Sequence, residues 1–184
     1  ESIHTAADGA SIFRQQWLPE GKPRAVVCLV HGIGEHSDRY PNVVDALTKR
    51  DFAVFALDLR GHGRSSGTRG DLRFPPTMDD LDELLADARE QVPGVPVIVY
   101  GHSLGGLISM TWVLQNHPDI AAQVSTAPAL DTELREQTLK LTVARLLSNV
   151  VPGFAIPTGA DSSAVSRDPE VVAAYDADPM VHDK

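Results

Sequence analysis

Three runs of apolar, largely β-branched residues constrain this chain more than any other feature: Arg24 to His31, Phe52 to Asp58 and Val95 to Gly101. A strand with one wet face alternates apolar and polar side chains, whereas a continuously apolar run needs cover on both faces. Helical patterns fall between the runs. Tyr40, Val43, Val44 and Leu47 stand at i, i+3, i+4 and i+7, with Pro41 suited to a first turn. A second helix is predicted to begin at Thr77, with Thr77 and Asp80 as a capping box, Met78, Leu81, Leu85 and Ala88 as its apolar stripe, and Asp79, Asp82, Glu83 and Asp87 as a solvated face. Strands alternating with helices predict an α/β chain with a mainly parallel sheet flanked by helices. Ahead of this, Ser2 to Thr5 and Ser11 to Trp17 read as a hairpin closed by Asp8-Gly9.

A fourth buried strand is expected over Ala121 to Ala127. Beyond Pro128 the texture changes. Leu139, Val143, Leu146, Leu147 and Val150 form a helical stripe, then Pro152, Gly153, Pro157 and Gly159 interrupt the chain, and Asp161 to Lys184 is polar and least structured by pattern. The expected division is residues 1–127 as the N-terminal portion of the core and residues 128–184 as a cap inserted over the sheet.

Charge and cysteine content narrow the function classes. With 16 Lys and Arg against 25 Asp and Glu, the formal charge of −9 argues against nucleic acid, which needs clustered cations. The single cysteine, Cys28, excludes an internal disulfide and reads as an inert buried thiol. No apolar run approaches the ~18 residues of a membrane span, and Glu1 opens no signal-peptide pattern, so a cytoplasmic location is expected.

The chemistry centres on Gly101-His102-Ser103-Leu104-Gly105, which follows the strand ending near Tyr100 and precedes an apolar helical stretch. A Gly-x-Ser-x-Gly turn between strand and helix lifts the serine into a strained, exposed elbow, and small flanking residues let neighbouring backbone approach. The helix directs its free amides at the serine oxygen. Acyl transfer also needs oxyanion donors. Leu104 N–H, directly after the serine, is one, and Ile33 N–H is the candidate for the second, because His31-Gly32-Ile33-Gly34 lies at the carboxyl end of an earlier strand. A plain glycine turn is the competing reading there. No cofactor or metal is expected: His31, His36, His62 and His102 sit in turns the fold accounts for, and no His-x₃-His pair occurs.

The block from His31 through Gly34, Glu35, His36, Ser37 and Arg39 to Tyr40, then Asp58-Leu59-Arg60-Gly61-His62-Gly63-Arg64-Ser65, then Gly101 to Gly106, resembles the monoacylglycerol lipase family of the α/β-hydrolase superfamily. Asp161-Ser162-Ser163, Ser166-Arg167 and Tyr175 through Asp178-Pro179 to His182 look like that family's cap. The resemblance implies a serine esterase acting on single-chain glycerides, with a lipid or small ester as its partner; the apolar stripe of the cap offers peripheral membrane contact, with burial against the sheet as an equal reading. It implies that Glu35, Arg39, His102 and Tyr175 hold the polar head of the substrate, while Leu139 to Phe154 wall the acyl chain. Plainer readings stay open: a local Glu35–Arg39 ion pair, a core histidine at 102, and a tyrosine anchoring the cap. His62 reads as a turn-former. Haloalkane chemistry is disfavoured, because those relatives carry aspartate where Ser103 stands.

The order nucleophile, acid, histidine along such chains leaves a gap. After Ser103 come only His117, expected on the helix behind the nucleophile, and His182, expected in the cap. The expectation is a fragment of a larger enzyme, poorly active alone, completed by a complementing chain or oligomer, or less readily by a swing of His182, with an open strand edge near Gln123 to Thr126. Two other functions compete: a non-catalytic lipid-binding module, and a peptidase or acyltransferase on the same scaffold.

Overall fold

The computed structural model describes residues 1–130 and 161–183. The stripe expected over Leu139 to Val150, the breakers Pro152 to Gly159 and the wall to Phe154 lie outside the described residues. The hairpin forms as read: β1 (Ser2–Thr5) pairs antiparallel with β2 (Ser11–Trp17), and Gly9 takes φ +85° in the turn between them. The apolar runs become β3 (Ala25–Val30), β4 (Phe52–Leu57) and β5 (Val97–His102); the fourth becomes β6 (Ala122–Thr126), which is exposed or half-buried rather than buried as expected, because it pairs with β5 on one side alone among the described residues. The sheet order is β1-β2-β4-β3-β5-β6, with β3 parallel to both β4 and β5, β5 parallel to β6, and β2 antiparallel to β4. Continuously apolar β3 is therefore central. As expected, β6 stands at an edge of the sheet, with Val124 44% exposed.

Successive residues of a strand point to opposite faces, and the core divides accordingly. Val26, Cys28 and Val30 join Phe55, Leu57, Val97 and Val99 against the helices α2 (Phe74–Gln91) and α3 (Leu104–Asn116), through Leu81, Leu84, Ile108 and Trp112. Leu29, Val54 and Ala56 face the other way, onto Tyr40 and Val44 at α1 (Pro41–Thr48). Each fully buried aliphatic side chain contributes about 1.5–3 kcal/mol. Cys28 lies inside this packing, where burial pushes its thiol up to about 12. No helix among the described residues is long and apolar enough to cross a membrane.

The second helix departs from its expectation. It begins at Phe74, with Pro75 and Pro76 in its first turn, where the missing N–H groups cost nothing. Thr77 is no cap: its hydroxyl donates to the Arg73 carbonyl at 2.8 Å, one turn back. Asp80 is buried and takes a two-pronged grip from Arg60, Nε to Oδ2 at 2.6 Å and Nη2 to Oδ1 at 2.8 Å. Nor is the acidic face merely solvated. Asp82 accepts from Trp112 Nε1 at 2.9 Å, and Glu83 accepts from Arg14 at 3.0 Å. Periodicity located the stripe, but partners distant along the same chain decided what the acids do.

Candidate active site

Parallel strands deliver their carboxyl ends to one edge of the sheet, so the segments following β3, β4 and β5 meet there. Ser103 follows β5 and is the N-cap of α3, with φ +50° and ψ −116°. That conformation is sterically costly for any residue with a Cβ and persists only where its surroundings over-determine it. They do. Ser103 N–H donates to the Thr126 carbonyl at 3.0 Å, and the Ser103 carbonyl accepts from Ala129 N–H and Leu107 N–H, both at 3.1 Å. The glycines around the serine act by size. A Cβ at Gly105 would fall on the carbonyl oxygens of Val30 and His31, and one at Gly106 would press on Pro128. Helix α3 can therefore sit hard against the end of β3.

That approach brings the His31–Gly34 turn beside the serine: a Cβ at Gly32 would lie 3.2 Å from Ser103 Cβ and 3.5 Å from His102 Cδ2. Ile33, next in line, is 46% exposed at the same edge. The Leu104 amide occupies the first position of α3, where helix N–H groups have no partner within the helix. The candidate nucleophile and the segments bearing both candidate oxyanion amides thus converge.

The polar residues named from the sequence converge as well. Glu35 Oε1 accepts from Gly32 N–H at 2.7 Å and from the Tyr40 hydroxyl at 2.6 Å, and its Oε2 stands 3.6 Å from Arg39 Nε. The Arg39 guanidinium lies over the Tyr175 ring, 4.6 Å from its centroid. His102 Nδ1 and the Tyr100 hydroxyl both meet Thr126 Oγ1, at 2.9 and 3.0 Å, and the His102 ring stands edge-on to Tyr40 at 6.2 Å. So the local Glu35–Arg39 pair exists, and Tyr175 on α4 (Pro169–Ala177) does touch the core. Neither Tyr40 nor Thr126 is given a site role by the sequence reading. Burial and the Glu35 carboxylate raise the Tyr40 hydroxyl well above its usual range and keep it a donor.

Beneath the edge, Asp58 gathers the flanking segments: Oδ1 accepts from Ser37 N–H at 2.8 Å and Ser37 Oγ at 2.6 Å, and Oδ2 from Arg64 N–H at 2.9 Å. The segment carrying α4 is fastened to the core by His36 Nε2 and Asp178 Oδ2 at 2.7 Å, and by His182 N–H on the Gly34 carbonyl at 2.9 Å. The His182 ring packs on His62 at 4.8 Å, and His62 on His31 at 5.4 Å. His62 Nδ1 meets the Arg60 carbonyl at 2.9 Å, as a turn-former would. His117 caps the far end of the 13-residue helix α3, about 20 Å from the serine.

Burial, reinforced by the neighbouring His62, pushes His31 down to about 3, and burial pushes His62 down to about 4. Between the ordinary histidine value near 6.5 and these values, the unfolded chain binds protons that the folded chain excludes, so stability rises with pH and falls on acidification. Each histidine should therefore remove about 2 kcal/mol of stability between pH 7.5 and pH 5. Denaturant titrations at the two pH values check this; equal stabilities would contradict the neutral buried pair.

The family described as serine aminopeptidase, S33 matches residues 21–184. Monoacylglycerol lipase of Mycolicibacterium smegmatis is 41% identical over 183 residues, 99% of this chain and 65% of the relative. Monoglyceride lipase of Rattus norvegicus is 34% identical over 177 residues, 95% of this chain and 58% of the relative. The crystal structure of Paleococcus ferrophilus monoacylglycerol lipase superposes with TM-score 0.81 at 33% identity, covering 94% of this chain and 64% of that one. A soluble variant of the Saccharomyces cerevisiae monoglyceride lipase superposes at 0.85 and 24% identity, covering 98% and 62%, which speaks to the fold. The chain thus spans less than two thirds of the length of these relatives.

Proposed function

The chain belongs to the serine aminopeptidase S33 family and has the α/β-hydrolase fold, and on that footing we propose that it is a serine ester hydrolase acting on monoacylglycerols or similar single-chain carboxylic esters. The observation that carries this reading is Ser103 itself, held at φ +50° on the N-terminus of α3 with Gly32 against its β-carbon. Ser103 Oγ attacks the acyl carbonyl and forms an acyl-enzyme while the alcohol leaves; water then releases the fatty acid. The Ile33 and Leu104 amides stabilise the oxyanion.

The proton of Ser103 passes to a histidine supplied by a complementing segment or chain, or less readily by a swing of His182. In support, His31, His62, His36 and His102 already engage Leu59, Arg60, Asp178 and Thr126. Arg39, His102 and Tyr175 meet the polar head of the substrate, and residues 128–184 act as the cap. The names of the M. smegmatis and P. ferrophilus relatives support the substrate class.

The family description favours one second reading, a peptidase that releases an N-terminal residue through the same serine. Exposure to a fluorophosphonate followed by mass spectrometry is expected to place the adduct on Ser103, and an unmodified Ser103 in protein that turns over esters would refute the assignment. Comparison of a monoacylglycerol with an aminoacyl anilide separates the two readings, with turnover of the anilide alone favouring the peptidase.

A further inference from the structure

We propose that Glu35 is a positioning residue for the oxyanion loop, its carboxylate clamping the Gly32 amide so that the following amide, Ile33 N–H, is aimed at the oxygen beside Ser103. The inference rests on the ester-hydrolase reading. It differs from the head-group role implied by resemblance, because Oε1 is spent internally: it accepts from Gly32 N–H at 2.7 Å and from the Tyr40 hydroxyl at 2.6 Å. Both donors belong to the protein.

Two successive peptide planes are fixed this way. Glu35 holds the His31–Gly32 peptide by its N–H. The Gly32–Ile33 peptide is held by its carbonyl, 2.7 Å from His31 Nδ1. The tautomer follows from the other side of the ring. His31 Nε2 accepts from Leu59 N–H at 2.8 Å, so Nδ1 carries the hydrogen and donates to Gly32. A trans peptide points its N–H opposite to its carbonyl. With His31 fully buried below, the Ile33 amide is turned away from the core toward the exposed edge, where Ser103 lies against Gly32. No rotation of either peptide is free.

A direct electrostatic role for Glu35 is disfavoured on sign, since a carboxylate beside a developing oxyanion opposes it. Arg39, 3.6 Å from Oε2, offsets that charge. What remains for Glu35 is geometry, and geometry can be served by any well-placed acceptor.

The test compares kcat and KM on a monoacylglycerol and on the p-nitrophenyl ester of the same acyl chain, which lacks glycerol. Glu35→Leu is expected to lower kcat about 10²–10³-fold on both esters, the loss typical of one oxyanion donor, with KM unchanged within about threefold and phosphonylation of Ser103 slowed in step. Glu35→Gln, whose amide oxygen can still accept from Gly32, is expected to recover at least about tenfold of that loss. Tyr40→Phe, which removes one donor to the carboxylate, should cost about 3–10-fold on both esters; with Glu35→Gln it carries the test if Glu35→Leu does not fold. A loss confined to the monoacylglycerol and expressed as raised KM overturns the inference in favour of a head-group contact. Both esters are offered to the protein assembled with the segment or chain that supplies the histidine; if that assembled wild type is inert on both, the ester-hydrolase reading is overturned, and this inference with it.

Discussion

Ester turnover by the protein assembled with its histidine is expected to fall about a million-fold when Ser103 is replaced by alanine, the magnitude seen when a triad nucleophile is removed. The residue, of about 10³–10⁴ over water, comes from substrate binding and the oxyanion amides, which alanine leaves in place. Backbone strain makes the prediction sharper than a motif match could. A non-glycine residue at φ +50° and ψ −116° costs on the order of 1–3 kcal/mol, and glycine would occupy the site without that penalty. Retaining a hydroxyl there has a functional explanation and no structural one. Ser103→Gly should therefore unfold at a higher temperature than wild type while being equally inert. Steady-state kinetics and thermal melts of the two variants read both halves, and a variant that keeps more than about a hundredth of wild-type activity contradicts the nucleophile assignment.

Gly105→Ala carries the second large effect. Inside a helix, alanine is favoured over glycine by about 1 kcal/mol, so propensity alone calls for stabilisation. Here the added methyl would collide with the Val30 and His31 carbonyls. Backbone oxygens cannot rotate out of the way as a side chain could, so α3 must move off the end of β3. Overpacking of this kind costs about 1–3 kcal/mol, enough to outweigh the propensity gain. The same movement displaces Ser103 and the Leu104 amide, and a misplacement of about 1 Å costs on the order of 10²-fold in rate. A fall in both melting temperature and kcat is expected. A melting temperature above wild type would mean that the close approach is looser than the geometry states.

Most of what was legible in advance depended on short-range rules. The Asp8-Gly9 hairpin, the apolar central strands, the helix opening at Pro41 and the strand–Ser103–helix turn each follow from neighbours within a few residues, and each forms as expected. The start of α2 was displaced because Pro75-Pro76 looks like a barrier, although a first turn tolerates proline better than any other helical position. The roles of Asp80, Asp82 and Glu83 escaped because their partners Arg60, Trp112 and Arg14 lie 20, 30 and 69 residues away. For the candidate site the division is the same. Ser103, Gly32 and the two amide-bearing turns could be named from pattern, but the use of Glu35 as an internal acceptor depends on Tyr40 and Gly32 meeting across a folded turn. His36 with Asp178, 142 residues apart, had no local signature at all.

The bonds from Ser103 to Thr126 and Ala129 also make the nucleophile answerable to a remote part of the chain. The tense bend cannot be maintained by its own sequence; it is imposed by a peripheral strand and the turn that leaves it. With that piece undocked, residue 103 is free to relax into an ordinary conformation and offers no poised hydroxyl. Chemical competence is thus a certificate that the sheet's outermost strand is seated.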